Sequence, residues 1–580
     1  MNLLLFHHHL WQLIINMAKN IRINIILFVI FLVGGLLLSR LFSLQIIQGN
    51  YYKAQATGQQ NYIFEEEGKR GYVFFKEGEI LALTKDTPYI FVSSEEIVDK
   101  EKTAEILSDL INIKKEDLVK KMSIKGSYYQ VILREIEDEL AKEIKDLKLK
   151  GVYIGYDKKR YYPNEEMASN IIGFINAEGT GQYGIEEYYN NILKGEKKTQ
   201  KRENNPWNFI FSFSEKKSLD GASLTLTLDY NVQFMAEKII KSGVEKYKAK
   251  SGEIIVMEPF TGEIIAMAQY PNFNPNNYKK ESYSLFQNNS VQKFFEPGSI
   301  FKPITMSMAL NEKTITPNTI FEDNKGYVMY GNYKVSNFSE KAFGKTTMTE
   351  VLEKSINTGV IYVENTVGHK SFMNYIDNYG LLKKTNIDLA GEVASENKEL
   401  AKAYQQKIEV TFATASFGQG INMTPLQITT AFSAIANGGN LVKPYIVKKI
   451  SNNNKTEETK PEIIKKIISS ETSMDLKKML VSVVENGFGK SGKVNGYYIA
   501  AKTGTSQIPW SNLGISKSGY SNETWQSFLG FAPAYDPKFV ILVKLDSPET
   551  LTSEYSAAPL FRDLADYILR YWQIPYDYDI

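Results

Sequence analysis

The sequence predicts a mixed α/β (α+β) protein: two folded parts behind a single N-terminal membrane-spanning helix. Three observations carry that expectation. An unbroken apolar run from Ile25 to Leu38 stands near the start of the 580-residue chain. Short strand-like and helix-like pieces alternate from Tyr51 to about Ser218. After Asp220 the pattern becomes a strong β-hairpin, then helices, then three late strands. That is the order of an antiparallel sheet that the chain leaves and rejoins, covered by helices. The length asks for more than one core. An apolar share of 43% with 23% charged residues is that of a folded chain rather than a disordered one.

The span is expected over residues 21–44. Ile21 to Leu38 gives 18 residues, enough to cross the hydrocarbon core with slight tilt, and Leu41, Phe42 and Leu44 extend it. Ser39-Arg40-Leu41 offers no small-residue cleavage site, so the segment reads as a retained anchor rather than a removed signal peptide. Lys19 and Arg22 put residues 1–20 in the cytoplasm by the positive-inside rule, and everything after about Gln45 outside. Met17-Ala18-Lys19 looks like a conventional start, which leaves residues 1–16 open as an overlong start.

Residues 45–218 form the first expected part. Arg70 to Phe75 with Ile80-Leu81-Ala82 reads as a hairpin, Glu135 to Leu147 as a charged, exposed helix, and Lys197 to Asn205 as a polar linker. Nothing there has catalytic spacing, so a scaffold or partner-binding role is expected. Residues 219–580 form the second part. Leu224 to Leu228 alternates like a strand, and Asn231 to Tyr247 has helical periodicity. Glu253–Met257 and Glu263–Met267, joined by Pro259-Phe260-Thr261-Gly262, make the hairpin. Helices are expected over Thr347–Thr358 and Pro425–Asn437, and strands over Tyr497–Thr505, Thr524–Ala532 and Lys538–Leu545.

Composition narrows the chemistry. There is no cysteine, hence no disulfide, thiolate nucleophile or thiolate-bound metal. Of four histidines three are His7, His8 and His9, so a multi-histidine zinc site is excluded and a Ser-His-Asp triad would need His369. His369, between Gly368 and Lys370, reads as a surface histidine. A base for a serine nucleophile would then be a lysine or a carboxylate. The net charge of +2 gives no field suited to nucleic acid.

Three short motifs supply candidates. Ser299-Ile300-Phe301-Lys302 follows Pro297-Gly298, so Ser299 should open a helix, where backbone N–H groups favour developing negative charge. Lys302 lies on the same face, and a desolvated lysine can take the hydroxyl proton. Ser214-x-x-Lys217 and Ser395-x-x-Lys398 match the same spacing in polar surroundings, so the motif alone decides nothing. Ser355-Ile356-Asn357 places a hydroxyl and an amide where a helix turns; its plain alternative is a helix cap. Lys502-Thr503-Gly504-Thr505 sits late in a strand, where Lys502 and Thr503 can bind a carboxylate and Gly504 admits a close backbone. Their conjunction, helix start, helix end, strand, in that order within one domain-sized stretch, favours a shared active site over coincidence.

With these motifs the chain resembles a class B penicillin-binding protein over nearly its whole length. Glu296-Pro297-Gly298-Ser299-Ile300-Phe301-Lys302-Pro303 resembles the nucleophile segment, and Ser416-Phe417-Gly418-Gln419-Gly420 with Thr424-Pro425-Leu426-Gln427 a second transpeptidase stretch. Arg160-Tyr161-Tyr162-Pro163, Gly173 and Gly184-Ile185-Glu186 are similar to the non-catalytic pedestal; Phe75-Lys76-Glu77-Gly78 departs from the family pattern there. The resemblance implies a D,D-transpeptidase with an all-helical subdomain beside its sheet, inhibited by β-lactam antibiotics and needing no metal or cofactor. Ser299 would attack the D-Ala-D-Ala carbonyl of a peptidoglycan stem peptide, Lys302 act as base, and Ser355 and Asn357 relay protons and position substrate. Lys502 and Thr503 would hold the carboxylate, and the N–H groups of Ser299 and Thr505 form the oxyanion hole. A membrane-embedded glycan polymerase and division proteins are implied partners. Glu296 before Pro-Gly-Ser and a modest pedestal resemble the division (septal) type more than the elongation type. A β-lactamase would lack the extra domain and the anchor. A D,D-carboxypeptidase differs only in using water as acceptor, and a β-lactam sensor would carry further spans or a cytoplasmic effector.

Overall fold

The structure, a computed structural model, describes Trp11, residues 25–26, 28–48, 63–127, 129–201, 219–395, 397–452 and 455–579. The chain divides into two compact units, Met1–Gly68 with Glu196–Leu219, and Lys69–Gly195 with Asp220–Ile580. In the first, Phe28–Ile47 is a 20-residue helix, the one among the described residues long and apolar enough to cross a membrane. Its final turn, Ser43–Ile47, is a π-turn, so the helix runs past Leu44, where the sequence reading ends it. Ile46 and Ile47 are apolar, and no breaker intervenes until Gly49. Lys197–Lys201, expected as linker, is a strand antiparallel to Ile63–Glu67; it contains no glycine or proline to prevent pairing.

The second unit joins both sides of the 218/219 boundary through a seven-stranded sheet. The expected hairpin forms as Val73–Phe74 with Ile80–Val92, and Val73–Phe74 then runs parallel to Ser223–Leu226. That strand pairs in turn with Val447–Ser451. The helix expected over Glu135–Leu147 starts at Asp138 and is not simply exposed: Ala141 and Ile144 join Ile90, Val92, Leu107 and Leu118 in a small core.

The pedestal motifs meet at one buried knot. Glu186 accepts from Arg70 Nε at 2.7 Å and from Arg160 Nε at 2.7 Å. Arg160 also donates to the Gly71 carbonyl at 2.6 Å, and Arg70 to the Asn190 side chain at 3.0 Å. Gly71 is required here, since a Cβ would stand 1.9 Å from the Ala222 carbonyl oxygen.

The active unit is built on a five-stranded antiparallel sheet. Its strands are β1 (Ser251–Met257), β2 (Ile264–Tyr270), β3 (Ala500–Pro509), β4 (Tyr520–Ala532) and β5 (Phe539–Asp546), in the order β2-β1-β5-β4-β3. The alternation of each strand feeds two cores. Ile254, Val256, Ile541 and Val543 pack under helices α1 (Tyr230–Tyr247) and the C-terminal Ala557–Tyr571. Ile255, Met257, Val540 and Leu542 face the helical side that carries the site, with α2 (Lys302–Asn311), α3 (Asn357–Val367), α4 (His369–Asn378), α5 (Glu409–Ser416) and α6 (Pro425–Ala436). The helix expected over Pro425–Asn437 forms as α6, with a capping box between Thr424 and Gln427.

Candidate active site

Ser299 lies on a tight turn rather than in the first α-turn. Gly298–Phe301 is 3₁₀, and α2 begins at Lys302, whose N–H donates to the Ser299 carbonyl. Residues three apart eclipse in a 3₁₀ turn, so the Ser299–Lys302 relation expected from spacing survives. Gly298 has φ +57°, and a Cβ there would sit 3.0 Å from Ser506 Cβ and 3.2 Å from the Thr505 oxygen. The turn is thus seated directly on β3.

The helix expected over Thr347–Thr358 is two helices. Met348–Glu353 ends, Ser355 takes φ +51°, and Asn357 starts α3. This break aims Ser355 and Asn357 at Lys302. Lys302 Nζ lies 2.6 Å from the Ser355 carbonyl oxygen, 3.1 Å from Ser355 Oγ and 2.7 Å from Asn357 Oδ1. Lys502 Nζ reaches the same Ser355 Oγ at 3.1 Å and Thr503 Oγ1 at 3.1 Å. Both lysines are fully buried, and no carboxylate is among these partners. Burial pushes Lys302 well below its ordinary range, the neighbouring Lys502 charge adding to it. Burial alone pulls Lys502 down to about 7. Two ammonium groups on one hydroxyl oxygen repel, so the pair is best served with Lys302 neutral. Its two N–H bonds then go to the two carbonyl oxygens, and its lone pair remains for a hydroxyl proton.

On β3, Lys502 is buried, while Thr505 is partly open and accepts the Ser553 N–H at 3.2 Å. Gly504 differs from expectation. A Cβ there would meet Ser527 Oγ at 2.5 Å and Ile300 Cγ2 at 2.8 Å. Its missing side chain admits the Ser299 turn and the neighbouring strand, not a substrate backbone.

The Ser416–Gly420 loop closes the other side. Gly298 N–H donates to the Gly418 carbonyl at 2.9 Å, and Thr305 Oγ1 to the Ser416 carbonyl at 2.7 Å. The Phe417 ring stands 6.0 Å from Lys302 Nζ. Glu296, the first residue of the segment that resembles the nucleophile stretch, is buried and bonded by Tyr520 at 3.0 Å; burial lifts its carboxyl to about 7. Tyr520 lies 224 residues away, so no local signal could pair them. Of the matching decoys, Ser395 sits in a turn bonded to Asn397 N–H, and Ser214 lies outside the described residues.

Comparison with known proteins identifies both parts of the chain. Residues 252–566 match the penicillin binding protein transpeptidase domain, and residues 65–226 the penicillin-binding protein dimerisation domain. The chain belongs to the penicillin-binding protein transpeptidase family, in its two-domain class B form. It is 32% identical over 492 residues to stage V sporulation protein D of Bacillus subtilis, covering 82% of this chain and 73% of that protein. It is 28% identical to the peptidoglycan D,D-transpeptidase FtsI homolog of Mesostigma viride, covering 96% of each. Among solved structures, penicillin binding protein 2X of Streptococcus thermophilus superposes with TM-score 0.72 at 25% identity, covering 87% of this chain and 80% of that one. Penicillin binding protein 3 of Mycobacterium tuberculosis, complexed with aztreonam, has the same fold, with TM-score 0.68 at 24% identity, covering 89% and 98%.

Proposed function

We propose that this peptidoglycan D,D-transpeptidase works through an acyl-enzyme on Ser299, with Lys302 as the base. The observation that carries the reading is the placement of Lys302: fully buried on the turn that carries Ser299, with two carbonyl oxygens and a hydroxyl but no carboxylate as partners. Lys302 takes the Ser299 proton as Oγ attacks the D-Ala-D-Ala carbonyl, and Ser355 Oγ, shared by both lysines, passes it to the departing D-alanine amine. Lys502 with Thr503 and Thr505 binds the terminal carboxylate, and the N–H groups of Ser299 and Thr505 hold the oxyanion. An amine of a second stem resolves the ester. Residues 45–218 would serve as the non-catalytic pedestal and 219–580 as the transpeptidase part, in a septal role with a membrane-embedded glycan polymerase and division proteins as partners.

The test is product analysis by mass spectrometry with a lipid-linked glycan polymerase and stem-peptide substrate. The native chain should yield cross-linked dimers with loss of one D-alanine each, and Ser299→Ala none. Trimmed monomers without dimers would make the chain a carboxypeptidase; dimers from Ser299→Ala would refute the nucleophile.

Phe28–Ile47 would anchor the chain with its catalytic part outside the cytoplasmic membrane, an orientation supported by Lys19 and Arg22. Protease added to spheroplasts should then degrade everything after about residue 48 while the N-terminus stays protected. A protected catalytic domain would reverse that orientation.

A further inference from the structure

We infer that His369 is a positioning residue for this active site, clamping together the far ends of the two helices that carry Asn357 and Phe417. His369 Nδ1 lies 2.7 Å from Glu364 Oε1 near the end of α3, and Nε2 lies 2.7 Å from Glu409 Oε2 at the start of α5. The ring stacks on Phe412 of α5 at 4.0 Å and 17°. This is not the surface histidine expected from Gly368 and Lys370; Glu409 is 40 residues away in sequence.

The two helices run antiparallel with the site at one end and the clamp at the other. At the near end, Asn357 of α3 bonds Lys302 Nζ, and Phe417, just past α5, faces the same Nζ. Between the ends, Ile361 of α3 packs on Ala413 and Phe417. Glu364 is seven residues from Asn357, about 10 Å along the helix, so a change of splay at the clamp reaches the site through a short rigid lever. Gly418, next to Phe417, also carries the carbonyl that holds the Ser299 turn.

The clamp needs a proton. Only imidazolium donates from both nitrogens; a neutral ring leaves one carboxylate facing a lone pair. Glu364 is fully buried, and its Oε2 has no partner among the described residues, so losing the histidine bond would leave a buried carboxylate unsupported. The titratable groups around the ring are Glu364 from α3 and Glu409 from α5, with Tyr330 of the strand Tyr327–Tyr330 feeling both carboxylates. Burial pulls the imidazolium down, and the two carboxylates together outweigh it, leaving its pKa above the ordinary value. Burial also raises the Glu364 carboxyl, so the support is present once both carboxylates are ionised and is lost as pH rises through the raised histidine pKa.

The inference rests on the active-site reading above. The experiment measures the second-order rate of acylation by a labelled penicillin from pH ~6 to ~9 for the full chain, His369→Gln, His369→Arg and Glu409→Gln. At the acid end His369→Gln and Glu409→Gln should acylate about three- to tenfold more slowly than the native chain, the gap closing toward the alkaline end. His369→Arg, charged throughout, should restore the rate and flatten the gap. Titration of the catalytic lysines is common to all four and cancels in the ratios. Native-to-mutant ratios that stay constant with pH, or thermal midpoints that fall while acylation does not change, would overturn the proposal. Should His369→Gln not fold, Glu409→Gln, a change at an exposed side chain, still decides it. A native chain that does not acylate at Ser299 would instead overturn the underlying active-site reading.

Discussion

Lys302→Arg is expected to slow acylation by a labelled penicillin about 10²–10⁴-fold at every drug concentration, the usual cost of losing a general base. Arginine stays protonated, so it offers no lone pair to Ser299 Oγ. Lys502→Arg keeps the charge that faces the carboxylate, and its defect should fall mainly on apparent affinity, recovered in part with more drug. The two lysines also predict opposite pH edges. Lys302, held well below its ordinary range, must lose its proton to act, so the rate falls as pH drops through that depressed pKa. Lys502, near 7 in the free protein, must be charged to bind an anion, so affinity weakens as pH rises above that value. The profile should therefore be bell-shaped, and Lys502→Arg should remove the part of its alkaline edge that Lys502 causes, leaving the smaller fall tied to His369. Both side chains are buried, so thermal midpoints of the variants are the control for misfolding. Equal acylation by the two variants would make Lys302 a structural lysine.

Glu186→Ala should destabilise the unit that holds the active site by about 3–5 kcal/mol, the effect of leaving buried charge unpaired. Arg70 and Arg160 would lose their shared carboxylate, with side chains only 9% and 4% exposed. Arg160 Nη2 is already buried without a partner, so the knot has no spare acceptor. Chemical unfolding of the full chain in detergent reads the change. Replacing the charged trio together by Leu and Met of similar volume should recover most of it. A loss below about 1 kcal/mol for Glu186→Ala would mean that the knot is surface-like.

The β-hairpin, the late strands and α6 were legible because their signals are local: period-two alternation, Pro-Thr-Gly punctuation, and Thr424 with Gln427 as a capping pair. The turn that carries Ser299 and Lys302 was legible for the same reason, as three-residue spacing holds in an α- or a 3₁₀-turn. The break at Ser355 was not, since nothing in Lys354-Ser355-Ile356 demands a left-handed residue; tertiary bonds to Lys302 and Lys502 fix it. Gly504 was misread because a glycine shows that something comes close, not what. Lys197–Lys201 was read as linker because a polar strand lacks the apolar alternation that marks a half-buried one. The contacts of His369, Glu296 and Ser553 run to residues far off in sequence, so composition and spacing do not show them.

The central claim is that Ser299 is the nucleophile of this site. Its most direct test is the position of the covalent penicillin adduct on the full chain, read by mass spectrometry of proteolytic peptides. The adduct is expected on the peptide carrying Ser299 and absent from Ser299→Ala, which should keep the native thermal midpoint. An adduct on Ser355, Ser395 or Ser214, or one that persists in Ser299→Ala, would contradict the account.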